Sequence, residues 1–278
     1  MKKTVLLFAL FCTLNFSVNA QHGARDTAKT VAPFKIFDNL YYIGVDFVSA
    51  YLLTTDDGLI LIDALYGRYP KHILQSVRDL GYDPKQIKYI LCTHGHWDHC
   101  EGADTLQQVT HAPIAMTDPD WQMTEGKLKN NYKSATDHPA NYLVIRDGDS
   151  LKLGSTTINF FVTPGHTLGV LSMAFPVKDG KNTYKAFMFG GVGLNFTGVK
   201  QTEMYLQSVD RISKMKGIQV NIANHPYMSK TFERNELTKN RKPGELNPFV
   251  DPEGFQEWLV ELRVNAEKKL VEEKAKPN

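Results

Sequence analysis

The stretch "IKYILCTHGHWDHC", Ile87 to Cys100, constrains this chain more than any other. Its first half is a short apolar run, consistent with a strand buried on both faces of a sheet. Its second half packs His94, His96, Asp98 and His99 into six positions, in a chain that has nine histidines in all. A buried strand that empties into such a cluster is either the start of a polar surface loop or the mouth of a metal site. For a lone histidine the surface loop is the commoner outcome. The remaining sequence must decide for the cluster.

Around this run the pattern alternates between strands and helices. "LYYIGVDFVSAYLLTTDDGLILIDAL", Leu40 to Leu65, reads as successive strands, with "DDG" as a hairpin turn. "YPKHILQSVRDLG" carries Ile73, Val77 and Leu80 at helical spacing and ends in Gly81, a C-capping residue. After the cluster come a short helix in "EGADTLQQV", a strand in "APIAM" and a helix opened by Pro119 that runs toward Trp121. The second half repeats the rhythm. "NYLVIRDGDSLKLGSTTINFFVTPGH" gives strands with "DGD" and "LGS" turns, and "GVLSMAFPV" and "TYKAFMF" form a hairpin across "DGKN". "TEMYLQSVDRISKM" is helical with Leu206, Val209, Ile212 and Met215 on one stripe. "IQVNIANH" is a strand, and "PEGFQEWLVELRVNAEKKLVEEK" is an amphipathic helix. Two blocks that each run from strands into helices imply an α/β fold of four layers, αββα: two mixed sheets packed together with helices on the outer faces. No linker separates the blocks, so residues 21–278 are read as a single domain.

The first twenty residues are read separately. Lys2 and Lys3 precede the apolar run "TVLLFALFCTLNF", and "SVNA" offers Val18 and Ala20 as the small residues before a cleavage. This is the pattern of a secretory signal peptide cut after Ala20. A membrane anchor is the alternative, but the run is short and no stop-transfer pattern follows. The expected location is therefore periplasmic or secreted, with no membrane contact after cleavage. Removing residues 1–20 removes two lysines and no acid, which leaves thirty basic and thirty acidic residues. A near-neutral chain lacks the basic excess of a nucleic-acid binder, so the expected partner is a small-molecule substrate and the expected state a monomer. Cys92 and Cys100 remain; two cysteines make no disulfide scaffold, and both are read as free and buried.

Two further histidines, His166 in "TPGHTLG" and His225 in "ANHPY", also stand at the C-terminal ends of expected strands. Strand ends are where rigid scaffolds display functional groups. Together with the cluster they make five imidazoles and one carboxylate, a donor set suited to zinc. Six ligands exceed one tetrahedral ion and suit two ions with three protein ligands each, which leaves coordination positions open for water. His94 and His96, two apart in extended chain, point the same way, and a turn at Gly95–Trp97 would send Asp98 and His99 to a neighbouring position.

"THGHWDH", "TPGHTLG" and "NHP" together resemble the metallo-β-lactamase superfamily, over roughly Phe34 to His225. "DDGLILIDAL" is similar to the strand pair that carries a structural Asp in that family, here Asp63. The signal peptide and the His99 that follows Asp98 make the chain most similar to the third subclass of class B β-lactamases. The resemblance implies two Zn2+ ions, one on His94, His96 and His166 and the other on Asp98, His99 and His225. It implies a hydroxide held between the metals that attacks a carbonyl carbon, with Asp98 as the catalytic residue that orients the nucleophile and shuttles a proton. The leading substrate is then a β-lactam antibiotic, and the chain a resistance factor.

One segment departs from the pattern. Lactamases of that subclass place serines where this chain has Gly190, Gly191, Val192 and Gly193. Asn195 could donate a hydrogen bond to substrate in their stead, and the glycines read as a place of close backbone approach. Trp97, Tyr227, Trp121 and Tyr132 are candidate pocket aromatics; for Trp121, burial in the core is an equal alternative. The polar stretch Thr124 to Tyr142 reads as a loop over the site, with His138 as solvated surface. His22, His72 and His111 lack partners in the pattern and are read as structural or exposed. Because the fold hosts many reactions, a lactone, thioester or phosphoester hydrolase stays open, as does a periplasmic zinc-binding protein without turnover.

Overall fold

The computed structural model describes residues 27–125 and 141–276. The expected signal peptide, His22, Tyr132, His138 and nearly all of the expected loop over the site lie outside those residues.

Four antiparallel strands come first: β1 (Phe34–Phe37), β2 (Leu40–Tyr42), β3 (Tyr51–Thr55) and β4 (Gly58–Ile62). Helix α1 (Pro70–Asp79) crosses over to β5 (Ile87–Leu91), which runs parallel to β4. A single helical turn, α2 (Trp97–Cys100), and α3 (Ala103–Thr110) lead to β6 (Ile114–Thr117). Helix α4 (Asp118–Thr124) follows, and β7 (Tyr142–Ile145) pairs parallel with β6 to complete a seven-stranded sheet in sequence order.

The second sheet has five strands: β8 (Ser150–Leu153), β9 (Thr156–Val162), β10 (Leu171–Asp179) and β11 (Asn182–Phe189), antiparallel in succession, and β12 (Val220–Ala223), parallel to β11. Helix α5 (Val199–Ser213) makes the crossover between β11 and β12. Helices α6 (Thr231–Lys239) and α7 (Pro252–Ala275) close the fold, α7 lying along α5.

Strand periodicity explains the four layers. Ile60 and Ile62 of β4 face the same apolar layer as Met173, Phe175 and Met188 of the second sheet. Their neighbours Leu59 and Leu61 face α1 and α3, where Ile73, Val77 and Leu106 meet them. On the far side, Phe187 and Phe189 of β11 pack with Tyr205, Val209 and Ile212 of α5 and Phe255 and Leu259 of α7. Strands buried on both faces have no polar alternation, which is why the start of β3, most of β4, the end of β5 and the second half of β11 read as apolar runs.

Three local expectations are refined. Leu40 to Leu65 is not continuous strand: residues 43–50 leave the ladder and double back, with Ile43 N–H donating to Ala50 O and Val45 N–H to Val48 O. That excursion puts Phe47 into solvent at the edge of the site. On α5 the buried stripe centres on Tyr205, Val209 and Ile212, Leu206 is only partly covered at its flank, and Met215 stands beyond the helix's end, partly covered. Trp121 belongs to the core: it is buried and its indole Nε1–H donates to Leu143 O at 3.1 Å. Gly81 stands just past the end of α1 with φ +87°, the left-handed conformation that favours glycine there. His72 is half-buried with its Nε2 3.0 Å from Gly44 O, and His111 caps α3 on the surface. Cys92 and Cys100 are both buried thiols.

Candidate metal centre

Every candidate ligand sits where a strand ends. Beyond β5 the chain runs through Thr93, His94 and Gly95 and enters α2 with His96 as its extended N-cap. Asp98 and His99 therefore ride on the first helical turn, which rotates them away from His94 and His96. His166 follows β9 in the loop that leads to β10, and His225 follows β12. The parallel pairings β4–β5 and β11–β12 bring these ends to one edge of the two sheets.

There the six side chains form two groups. His94, His96 and His166 bring one ligand atom each to within 4.8 Å of the others, and so do Asp98, His99 and His225. In the first group, His94 Nε2 lies 3.0 Å from His96 Nδ1 and 3.1 Å from His166 Nε2. His94 donates its Nδ1–H to Gly190 O at 2.9 Å, and His166 donates its Nδ1–H to Gly193 O at 2.7 Å. Those bonds fix both tautomers, so both Nε2 atoms carry lone pairs. Burial, helped by the neighbouring rings, holds His94 well below the usual histidine pKa. Burial also takes His96 down to about 3 and His166 to about 4. Neither His94 nor His166 then has a proton to place between the two Nε2 atoms. Two lone pairs 3.1 Å apart need a cation. Nitrogens bound at zinc distance around one tetrahedral ion stand about 3.3 Å apart, so the group fits a metal.

The second group is organised by charge. Asp98 Oδ2 lies 3.4 Å from His99 Nε2 and 3.7 Å from His225 Nε2. His99 donates its Nδ1–H to Asp63 Oδ2 at 2.8 Å, and His225 donates its Nδ1–H to Phe47 O at 2.8 Å. Burial alone would lower His99, but the charges of Asp98 and Asp63 outweigh it and push the ring up to about 10. Burial works against the Asp98 carboxylate, yet the His99 charge holds it well below the usual range. His225 is lowered by burial and by the His99 charge. The fully buried His99 Nε2 makes no hydrogen bond of good geometry, and the Asp98 carboxylate stands 3.4 Å from it. A nitrogen met by the charge of a carboxylate is one where a metal ion would take the place of the proton, so this group too suits a metal.

Asp63 shows why a structural carboxylate belongs in this loop. It has φ +61°, and its Oδ1 accepts from Thr93 N–H at 2.8 Å while Oδ2 accepts from Thr93 Oγ1–H at 3.0 Å and from His99. One side chain thus pins the start of the cluster and orients a ring within it.

A cleft of about 390 Å3 opens over both groups. His96, Asp98, His99, His166 and His225 line it. Phe47, Leu194, Tyr227 and Met228 form a largely apolar rim, and Asn195 and Asn224 supply amides. The three expected substrate contacts all line the cleft, but unequally: Tyr227 is 60% exposed, while Trp97 is buried with its ring 4.5 Å from that of Tyr66. The glycine segment is a place of close approach. A Cβ on Gly190 would stand 2.1 Å from Leu171 O, and the carbonyls of Gly190 and Gly193 are the acceptors that orient His94 and His166. Phe47, Leu194 and Met228 carry no motif, so only the tertiary structure brings them to the site.

Residues 43–179 match the sequence profile of the metallo-beta-lactamase superfamily. The fold is similar to that of the native FEZ-1 metallo-beta-lactamase from Legionella gormanii, with TM-score 0.82 and 27% identity, covering 90% of this chain and 99% of that one. It is also similar to BJP-1, a subclass B3 metallo-beta-lactamase of Bradyrhizobium japonicum, with TM-score 0.78 and 28% identity over 89% of this chain and 96% of that one. Among curated relatives, the cytoplasmic hydroxyacylglutathione hydrolase of Arabidopsis thaliana is 30% identical over 154 residues, which are 53% of each chain. The chain spans between about half and three fifths of the length of the curated relatives it matches.

Proposed function

The chain belongs to the metallo-β-lactamase superfamily, and from that premise we propose that it is a di-zinc hydrolase that opens a cyclic amide, with a β-lactam as the leading substrate. The observation that carries the reading is the convergence of two three-ligand groups on the floor of one cleft. His94, His96 and His166 hold one ion, and Asp98, His99 and His225 hold the other. When bound, such a pair supplies a water acidified to near neutral pH and a Lewis acid for a carbonyl oxygen. The ionised Asp98 would accept a hydrogen bond from the attacking water, take its proton on the carboxylate and pass it to the leaving amide nitrogen as the C–N bond breaks. Asn195 donates to a polar group of the substrate, Tyr227 covers its exposed face, and Trp97 supports the floor. Residues 1–20 act as the export signal, residues 21–278 act as one domain, and the mature chain works as a periplasmic or secreted monomer.

A second reading rests on the cleft lining. Among the described residues no lysine, arginine, serine or threonine lines it, and the hydroxyl on its rim is that of the exposed Tyr227. This favours a lactone or thioester with an apolar group against Phe47, Leu194 and Met228.

Metal analysis of the purified chain is expected to give two zinc ions per molecule. A chromogenic cephalosporin and a panel of lactones, thioesters and phosphoesters then separate the readings. Chelator-sensitive opening of the cephalosporin supports the first. A fully zinc-loaded chain that leaves it intact but turns over a lactone or thioester replaces the first with the second. Zinc binding with no turnover across the panel sinks both and leaves a binding protein.

A further inference from the structure

Asp120 is a carboxylate that neither motif nor mechanism uses. It lies in the first turn of α4, is 1% exposed, and accepts hydrogen bonds from three neutral donors. Its Oδ2 accepts from Gly95 N–H at 3.0 Å and from Thr167 Oγ1–H at 2.8 Å, and its Oδ1 accepts from Gly169 N–H at 3.1 Å. Gly95 stands between His94 and His96, and Thr167 follows His166. One carboxylate oxygen therefore joins the two loops that supply the three-histidine group.

The surroundings are shaped around this tie. Thr117, the residue before α4, donates its Oγ1–H to Gly169 O at 2.5 Å, so the start of α4 grips Gly169 at both its N–H and its carbonyl. A Cβ on Gly169 would stand 2.1 Å from Thr117 Oγ1 and 2.8 Å from Asp120 Oδ1. A Cβ on Gly95 would stand 2.7 Å from Met123 Cε and 2.9 Å from Asp120 O. The glycine inside "HGH" and the glycine of "HTLG" thus share one physical cause, the close packing of α4 against both loops. A buried carboxylate is costly unless its acceptors are filled, and here removal of the acceptor would leave three donors unmet.

We propose that Asp120 is the positioning residue of the three-histidine site, setting the distance between the His94–His96 loop and the His166 loop through Gly95, Thr167 and Gly169. It touches none of the three rings. It acts on where their backbones stand and leaves the Asp98, His99 and His225 group untouched. The inference rests on the metal reading above, and its test reads zinc affinity rather than turnover.

The test isolates each site. A His225→Ala background keeps the three-histidine group, and a His166→Ala background keeps the other. Zinc affinity is measured by competition with a chromophoric chelator. In the first background Asp120→Asn is expected to weaken zinc binding about 10- to 100-fold, the range for loss of a supporting residue outside the ligand shell. Thr167→Val, which removes one of the three bonds and keeps the side-chain shape, is expected to weaken it less, in the same direction. In the second background both changes are expected to leave affinity within about twofold. Unchanged affinity in the first background, or equal losses in both, overturns the proposal, because a merely structural residue would act on both groups alike. If Asp120→Asn fails to fold, Thr167→Val decides by the same criteria. An unsubstituted chain that binds no zinc would overturn the metal reading itself, which is a different result from a lost selectivity.

Discussion

His94, His96 and His166 meet as three rings kept neutral by burial, whereas Asp98, His99 and His225 meet as an ion pair beside a third ring. The first group is held by backbone geometry: carbonyls of Gly190 and Gly193 set its tautomers, and Asp120 ties its loops. The second is held by charge, with the buried Asp63 on one side of His99 and Asp98 on the other. Burial explains the difference. Uncharged imidazoles tolerate a dry wall, while a carboxylate among them stays ionised only if a cationic partner stands beside it. Two neighbouring donor groups that could each hold a metal can therefore fail in different ways.

The largest test removes a ligand outright. His96→Ala should lower hydrolysis of the true substrate by about a thousandfold, the several kcal/mol that a metal contributes, while circular dichroism shows the fold intact. Activity near that of the unsubstituted chain would dissolve the distinction between the groups, because the first would then not be a working site.

Next in size is a pH effect on the metal-free chain. Burial pushes Asp120 up to about 6 from an ordinary value of 3.8, although Thr167, Gly95 and Gly169 pull it back. The folded state thus keeps a proton that the unfolded state has already lost between about pH 4 and 6. In that window stability falls as pH rises, and at pH 7 the cost reaches about 3 kcal/mol. Urea unfolding of the chelated chain and of Asp120→Asn should show the unsubstituted chain losing about that much relative to the variant from pH 4 to pH 7. A constant difference would mean that Asp120 is not a dry carboxylate.

Asp63→Asn probes the charge-held side. It keeps a residue that accepts a positive φ but removes the charge beside His99. Zinc binding in the His166→Ala background should weaken about 10-fold or somewhat more, with little change in the His225→Ala background. Equal losses would show that Asp63 serves both loops through Thr93.

The smallest effect belongs to the rim. Asn195→Ala should raise KM about 2- to 10-fold, the worth of one hydrogen bond, and leave kcat nearly unchanged. A fall in kcat with constant KM would move Asn195 from substrate binding to the chemistry.

The candidate ligands were legible because they are local in sequence. His94, His96, Asp98 and His99 share one strand end, and His166 and His225 each stand at another. A strand must end at a sheet edge, so strand-plus-histidine is a signal that needs no tertiary knowledge. The layered architecture was legible for a similar reason: doubly buried strands and amphipathic helices leave few ways to cover every apolar face. The excursion at residues 43–50 was not legible, because its apolar residues look like strand and its turn is closed by bonds such as that from Tyr42 Oη–H to Val45 O. Nor was Asp120, which in "TDPDW" reads as an ordinary acid at a helix start.

What the sequence by itself determined is the chemistry on offer: five imidazoles and a carboxylate at three strand ends, on a chain whose apolar pattern builds two packed sheets. What only the tertiary structure decided is how those groups are tuned and fenced. The tautomers depend on carbonyls 27 and 96 residues away from His166 and His94. The rim depends on Phe47 meeting His225 across 178 residues, and the loop spacing on one carboxylate of α4. Residue type sets what a side chain can donate or accept. Its pKa and direction come from burial and from neighbours that the folded chain alone assembles.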